Sequence, residues 1–115
     1  MKIFGSLVFA FALLFLIATD AQAVTMQDYI KYPGSKEIDS YLSGYLEGML
    51  WANAQLKNTD RAVIFCQPGK LTLYATNLRA IIDNYYQEQS AAFKAKNLPV
   101  GAVALNALIV AFPCK

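Results

Sequence analysis

The chain of 115 residues contains no histidine. That absence removes Ser-His-Asp and Cys-His nucleophilic catalysis and every histidine-bearing zinc site such as His-Glu-x-x-His. Cysteine is scarce, with Cys66 and Cys114 the two in the chain. Charge is also scarce, at 16% of residues, and its net value of +2 leaves no electrostatic footprint for nucleic acid, which needs a clustered basic face. No Gly-rich phosphate loop is visible, because Gly44 and Gly48 fall inside a helical pattern rather than after a strand. Internal repeats, linkers and low-complexity runs are missing as well. Paired carboxylates are the remaining catalytic option. Glu37 and Asp39, two residues apart, point to different sides of a helix, and no other acidic pair has a telling spacing. These residues read as solvated surface charge, so the expectation is a protein that is not an enzyme and that needs neither cofactor nor metal.

What is present begins with an export-type leader over residues 1–23. Lys2 supplies a basic start, Ile3 to Ala18 run almost without polarity, and Ala21-Gln22-Ala23 places small residues where a signal peptidase reads. The apolar run is short for a membrane span of about 20 residues, so a cleaved leader is expected over an uncleaved anchor. No cysteine follows the run to carry a lipid. The expected destination is the periplasm, with a mature domain at 24–115 and no stable membrane span after cleavage. Lys2 and Asp20 leave with the leader, so the net charge stays at +2. All 7 Tyr and Trp51 remain, a composition weakly suggestive of a binding protein.

In a small exported chain two cysteines imply a structural disulfide. A Cys66–Cys114 bridge closes a ring of about 49 residues, which the chain-entropy model equates to roughly 4 kcal/mol of stabilisation. The sequence alone does not distinguish an intramolecular bridge from an intermolecular one.

Helical punctuation fills the mature chain. Thr25 is expected to cap a short helix, with Asp28 at capping-box spacing, and Pro33-Gly34 to end it. Ser35 caps a longer helix in which Ile38, Tyr41, Leu42, Tyr45, Met49, Ala52 and Leu56 recur at spacings of three and four. Gly44 and Gly48 lie one turn apart in it, each costing about 1 kcal/mol of helix propensity relative to alanine. They imply close packing, either by another helix of the same core or by a subunit or partner. Lys57 to Arg61 reads as a loop, and Ala62 to Cys66 as an extended connector, since a lone strand has nothing to pair with. Thr72 is expected to cap a third helix, with Tyr74, Leu78, Ile81, Ile82 and Tyr85 on its apolar face and Arg79, Asp83 and Gln87 on its solvated side. Gln87 to Asn97 is polar and reads as the end of that helix plus an exposed loop. Leu98 to Phe112 carries no charge, which implies a helix buried nearly all round, stopped by Pro113. At 1.5 Å per residue it reaches about 22 Å, short of a hydrocarbon core of about 30 Å, so it is expected at the centre of the fold. The expected fold is a compact all-α bundle of about four to five helices stapled by one disulfide.

Tyr41-Leu42-Ser43-Gly44-Tyr45-Leu46-Glu47-Gly48, then Phe65-Cys66-Gln67-Pro68, Leu98-Pro99, Ala107-Leu108 and the terminal Phe112-Pro113-Cys114 resemble the Rap/Tai-type family of type VI secretion immunity proteins. The likeness runs from about Tyr41 to Cys114, and its order and closing Phe-Pro-Cys are its most specific parts. It implies a small helical periplasmic protein, often dimeric, that occludes the active site of a secreted peptidoglycan amidase toxin. The family's Gly-x-x-x-Gly and cysteine positions then fall on Gly44, Gly48, Cys66 and Cys114, in structural roles. Gln87, Glu88, Gln89 and Ser90 stand where the family commonly has a shorter turn ending near a proline. Partner contacts are expected on Gln87, Glu88, Gln89 and Lys94 first, and on Asn58, Asp60 and Arg61 second. The alternative is a small periplasmic stress chaperone that holds clients on exposed apolar surface.

Overall fold

Local capping chemistry sets the helix starts. The computed structural model describes residues 23–115; apart from Ala23, the expected leader lies outside the described residues. The elements are α1 (Met26–Lys31), α2 (Lys36–Asn58), α3 (Ala75–Gln87), α4 (Ala91–Ala95) and α5 (Val100–Ala111). Thr25 and Asp28 form the expected capping box on α1. The Ser35 hydroxyl accepts the Ile38 N–H at 3.1 Å and starts α2. Between them Gly34 has φ +73°, a left-handed conformation that favours glycine. The third helix differs from expectation: it begins at Ala75, with Tyr74 as its N-cap, and Thr72 lies outside it. The Tyr74 N–H donates to the Asn77 side-chain oxygen at 2.9 Å, which fixes the N-cap residue from inside the helix, the reverse of the hydroxyl-to-first-turn bond expected of Thr72. The stretch read as a loop after α3 contains α4, because the Ser90 hydroxyl accepts the Phe93 N–H at 3.1 Å.

The fold is all-α. Among the described residues the β-type pairing is an isolated bridge between Thr25 and Pro99. The most extensive packing is α3 on α5, with α2 laid against α3. Ile38, Leu42 and Leu46, spaced by four, turn inward from α2; Leu78 and Ile82 meet them from α3, and Val103, Ala104 and Leu108 from α5. The apolar period of α2 was thus legible, with two corrections: Leu46 belongs to the buried stripe and Ala52 is exposed. Arg79 and Asp83 are half-buried rather than solvated, since they pack on α1. Arg79 pairs with Asp39, and the Tyr29 hydroxyl donates to Asp83 at 2.7 Å. Burial on all sides was expected of α5, but only one face is covered. Val110 and Ile109 are exposed, because a chain this small lacks the surface to wrap a central helix completely.

Close packing against a glycine occurs at Gly101, where the Tyr41 and Tyr45 side chains of α2 reach α5, and not at Gly44 or Gly48. A Cβ at Gly101 would lie 3.2 Å from the Tyr41 hydroxyl and from the Tyr45 ring, while one at Gly44 or Gly48 would meet nothing within 4 Å. The Tyr45 hydroxyl donates to the Gly101 carbonyl at 2.7 Å and fixes α5 on α2. Packing within the same core therefore does not explain Gly44 and Gly48, both of which lie on the exposed face of α2.

The connector from Arg61 to Tyr74 is held by two fasteners. The Cys66–Cys114 disulfide is intramolecular, with the two Cα atoms 5.0 Å apart, and the Cys66 N–H donates to the Phe112 carbonyl at 2.8 Å. On the other side, Asn53 of α2 accepts the Ile64 N–H and donates to the Phe65 carbonyl, both at 2.7 Å. One amide thus satisfies a donor and an acceptor of chain that has no secondary structure of its own. Replacing Asn53 with alanine leaves two half-buried backbone groups without partners, each costing about 1–3 kcal/mol. We expect Asn53→Ala to lose about 2–4 kcal/mol in urea unfolding. A loss under about 0.5 kcal/mol would show that water replaces the amide.

Candidate protein-binding surface

An open groove of about 500 Å³ lies between α2 and the segment entering α3, at the edge of the buried stripe of α2. Leu46 and Leu50 from α2 and Leu73 from the incoming segment form its apolar lining, with Glu47, Trp51 and Tyr74 alongside. Glu47 and Trp51 are four residues apart on α2, hence on one face. Trp51 is 71% exposed and Tyr74 64% exposed. The N-cap geometry explains the latter: extended backbone and the bond to Asn77 fix the Tyr74 main chain, while its ring stays at the surface. A second hollow of about 350 Å³ shares Leu50 with the groove and continues along α2 to Cys66. Large aromatic rings left in water on a rigid scaffold mark contact surfaces, because they bury much area at low entropic cost when covered.

The expected contact residues lie elsewhere and in two separate places. Asp39 pairs with Arg79 while Leu46 shares the groove with Ala75, so α2 and α3 run antiparallel. That arrangement sends Asn58 and Gln87 towards opposite ends of the molecule. Asn58, Asp60 and Arg61 are exposed, and Asp60 has φ 55° in the turn that ends α2. Gln87 and Glu88 are exposed, but Gln89 and Lys94 are half-buried. Gln89 donates to the Tyr85 carbonyl at 3.0 Å, and Lys94 stands 5.4 Å from the Tyr86 ring centroid. Gln89 is thus committed to the C-terminal end of α3, while Lys94 helps to hold α4 on α3, assisted by an edge-to-face contact of Phe93 with Tyr85.

No motif in the sequence marks Trp51, Glu47 and Tyr74 as a site. One signal for them is available: Trp51 falls off the apolar stripe of α2, although its ring carries a large apolar area.

The titrating groups in the interior serve structure. Burial, then the bond to Asp83, pushes the Tyr29 hydroxyl well above its usual range. Burial, then the neighbouring Tyr41, pushes Tyr45 up to about 12. Both phenols therefore remain neutral hydrogen-bond donors at neutral pH. Among the described residues no buried side-chain polar atom lacks a partner, no group of three or more His, Cys, Asp or Glu is placed to hold a metal, and no helix is long and apolar enough to cross a membrane. No protein family, curated protein or solved structure matches the chain.

Proposed function

We propose that the chain is an immunity-type binding protein that engages and occludes a secreted peptidoglycan amidase in the periplasm of the producing cell. The observation that carries the reading is the Trp51–Tyr74 groove, a rigidly mounted aromatic surface with no partner inside the described fold. An inhibitor needs a stable complementary surface and no chemistry of its own. The Cys66–Cys114 bridge is compatible with an oxidising compartment, and the ordered Gly44/Gly48, Phe65-Cys66 and Phe112-Pro113-Cys114 signature supplies the likeness to the immunity family.

The reading is tested by co-expressing the chain with the amidase-type toxin encoded beside it, both directed to the periplasm. The expected result is restored growth and an isolable complex. Absence of both sinks the reading. Trp51→Ala is expected to weaken the complex by about 2 kcal/mol or more, about 30-fold in Kd, as truncation of a central aromatic does. Glu88→Ala, at one of the expected contact regions, serves as the comparison. If Glu88→Ala has the larger effect, the toxin binds at the α3–α4 end instead.

A further inference from the structure

Three tyrosines of this chain already carry a cation over the ring at 5.4 Å: Lys31 over Tyr32, Arg79 over Tyr29 and Lys94 over Tyr86. Trp51 and Tyr74, the two most exposed aromatic rings beside the groove, carry none among the described residues. The groove lining includes Glu47 and no lysine or arginine. Among the described residues the ion pair is Arg79–Asp39, so Glu47 is left without a cation. Two exposed aromatic side chains, one carboxylate and an apolar lining thus border one groove to which the described residues contribute no positive charge.

We infer that the groove receives an arginine side chain projected by a partner protein, its guanidinium placed against Trp51 and Tyr74 and bonded to the Glu47 carboxylate. The charge complementarity selects a cation, since an anion would meet the Glu47 carboxylate and two electron-rich ring systems with no positive charge beside them. Arginine fits better than lysine because its planar, weakly hydrated fork both stacks on an indole and bonds a carboxylate through two N–H groups. Its methylenes lie against the half-buried Leu50 at the groove floor, which an ammonium or a free guanidinium leaves uncovered. The inference rests on the reading of this groove as the protein-contact site, and it is independent of which protein supplies the arginine.

Trp51 is the one tryptophan of the chain, so intrinsic fluorescence reports the groove directly. The probes are acetyl-Leu-Arg-Leu-amide and the same peptide with citrulline, an isosteric neutral side chain, titrated into the oxidised protein to millimolar concentration. We expect a saturable change in Trp51 emission with the arginine peptide and at least tenfold weaker binding of the citrulline peptide. Glu47→Gln should bring the arginine peptide down to the citrulline level while leaving citrulline binding unchanged, with an unaltered far-UV circular dichroism spectrum showing the variant folded. Equal affinity for the two peptides, an arginine affinity indifferent to Glu47→Gln, or an emission change that never saturates each overturns the inference. The toxin experiment fails separately. Peptide binding as expected with no toxin neutralised removes the immunity reading and keeps the groove; toxin neutralised equally well by a Glu47→Gln, Trp51→Ala double variant removes the groove and keeps immunity.

Discussion

Replacing Cys114 with serine is expected to lower the free energy of unfolding by about 4 kcal/mol, because the bridge closes a loop with a sequence separation of 48. Both cysteines are exposed, so the substitution opens no cavity in the core and exchanges one small polar surface group for another. The loss therefore falls on the unfolded chain, which regains the freedom the cross-link denies it. For a domain whose total stability is about 5–15 kcal/mol, that is a large fraction. Urea unfolding of the oxidised protein, with and without reductant, measures it. Reductant should destabilise the parent by a similar amount and leave Cys114→Ser unchanged. Should reduction move the parent midpoint by less than the equivalent of about 1 kcal/mol, the Cys66–Phe112 backbone bond and the core hold the end of α5 without the bridge. The same variant examines the structural role of the pair: partner affinity lost with thermal stability retained would place Cys114 in the contact itself.

How far the fold could be read in advance depended on whether its cause was local. The Thr25–Asp28 box and the Ser35 cap involve groups three residues apart, and both were legible. Tyr74 shows the limit of such readings: Thr72 is the better capping residue by type, yet the acceptor that organises the turn is Asn77, inside the helix. The uncharged run of α5 identified a central helix but not its buried face, since a helix apolar all round has no polar side to mark the outside. Gly44 and Gly48 suggest close packing by their spacing, yet the glycine that side chains pack against is Gly101, where the Tyr41 and Tyr45 rings of α2 meet α5. Arg79 and Asp83 look solvated by helical period alone, and only the arrival of Tyr29, some fifty residues away in sequence, draws them inward.

The candidate site was less legible for the same reason. Glu47 and Trp51 belong to one helix face, but Leu73 and Tyr74 reach them only when the connector turns back along α2. That return depends on Asn53 and on the Cys66–Cys114 bridge, long-range fasteners that no local period encodes. The connector has neither helix nor strand, as its five apolar residues with no pairing partner imply. Its importance as part of the core was not legible, because five apolar residues without a period do not reveal which of them points inward.

That inward residue is Phe65, and Phe65→Ala is expected to cost about 3–5 kcal/mol, towards the upper end of that range. Phe65 is 1% exposed although it sits in chain without helix or strand. Its carbonyl is held by Asn53 on one side, and Cys66 next to it is held by Cys114 on the other. A cavity costs most where its walls cannot collapse, and here the backbone is fixed at both flanks. Phe65→Leu keeps most of the volume and should cost less than about 1.5 kcal/mol. The two large effects should also couple, as Phe65 and the bridge share one stretch of backbone. In the Cys114→Ser background the freed connector can move into the space, so Phe65→Ala is expected to cost less there than in the bridged protein. Urea unfolding of the two single variants and the double variant measures the difference. Additive losses would mean that the bridge does not stiffen the walls around Phe65, and that Asn53 alone holds the connector against α2.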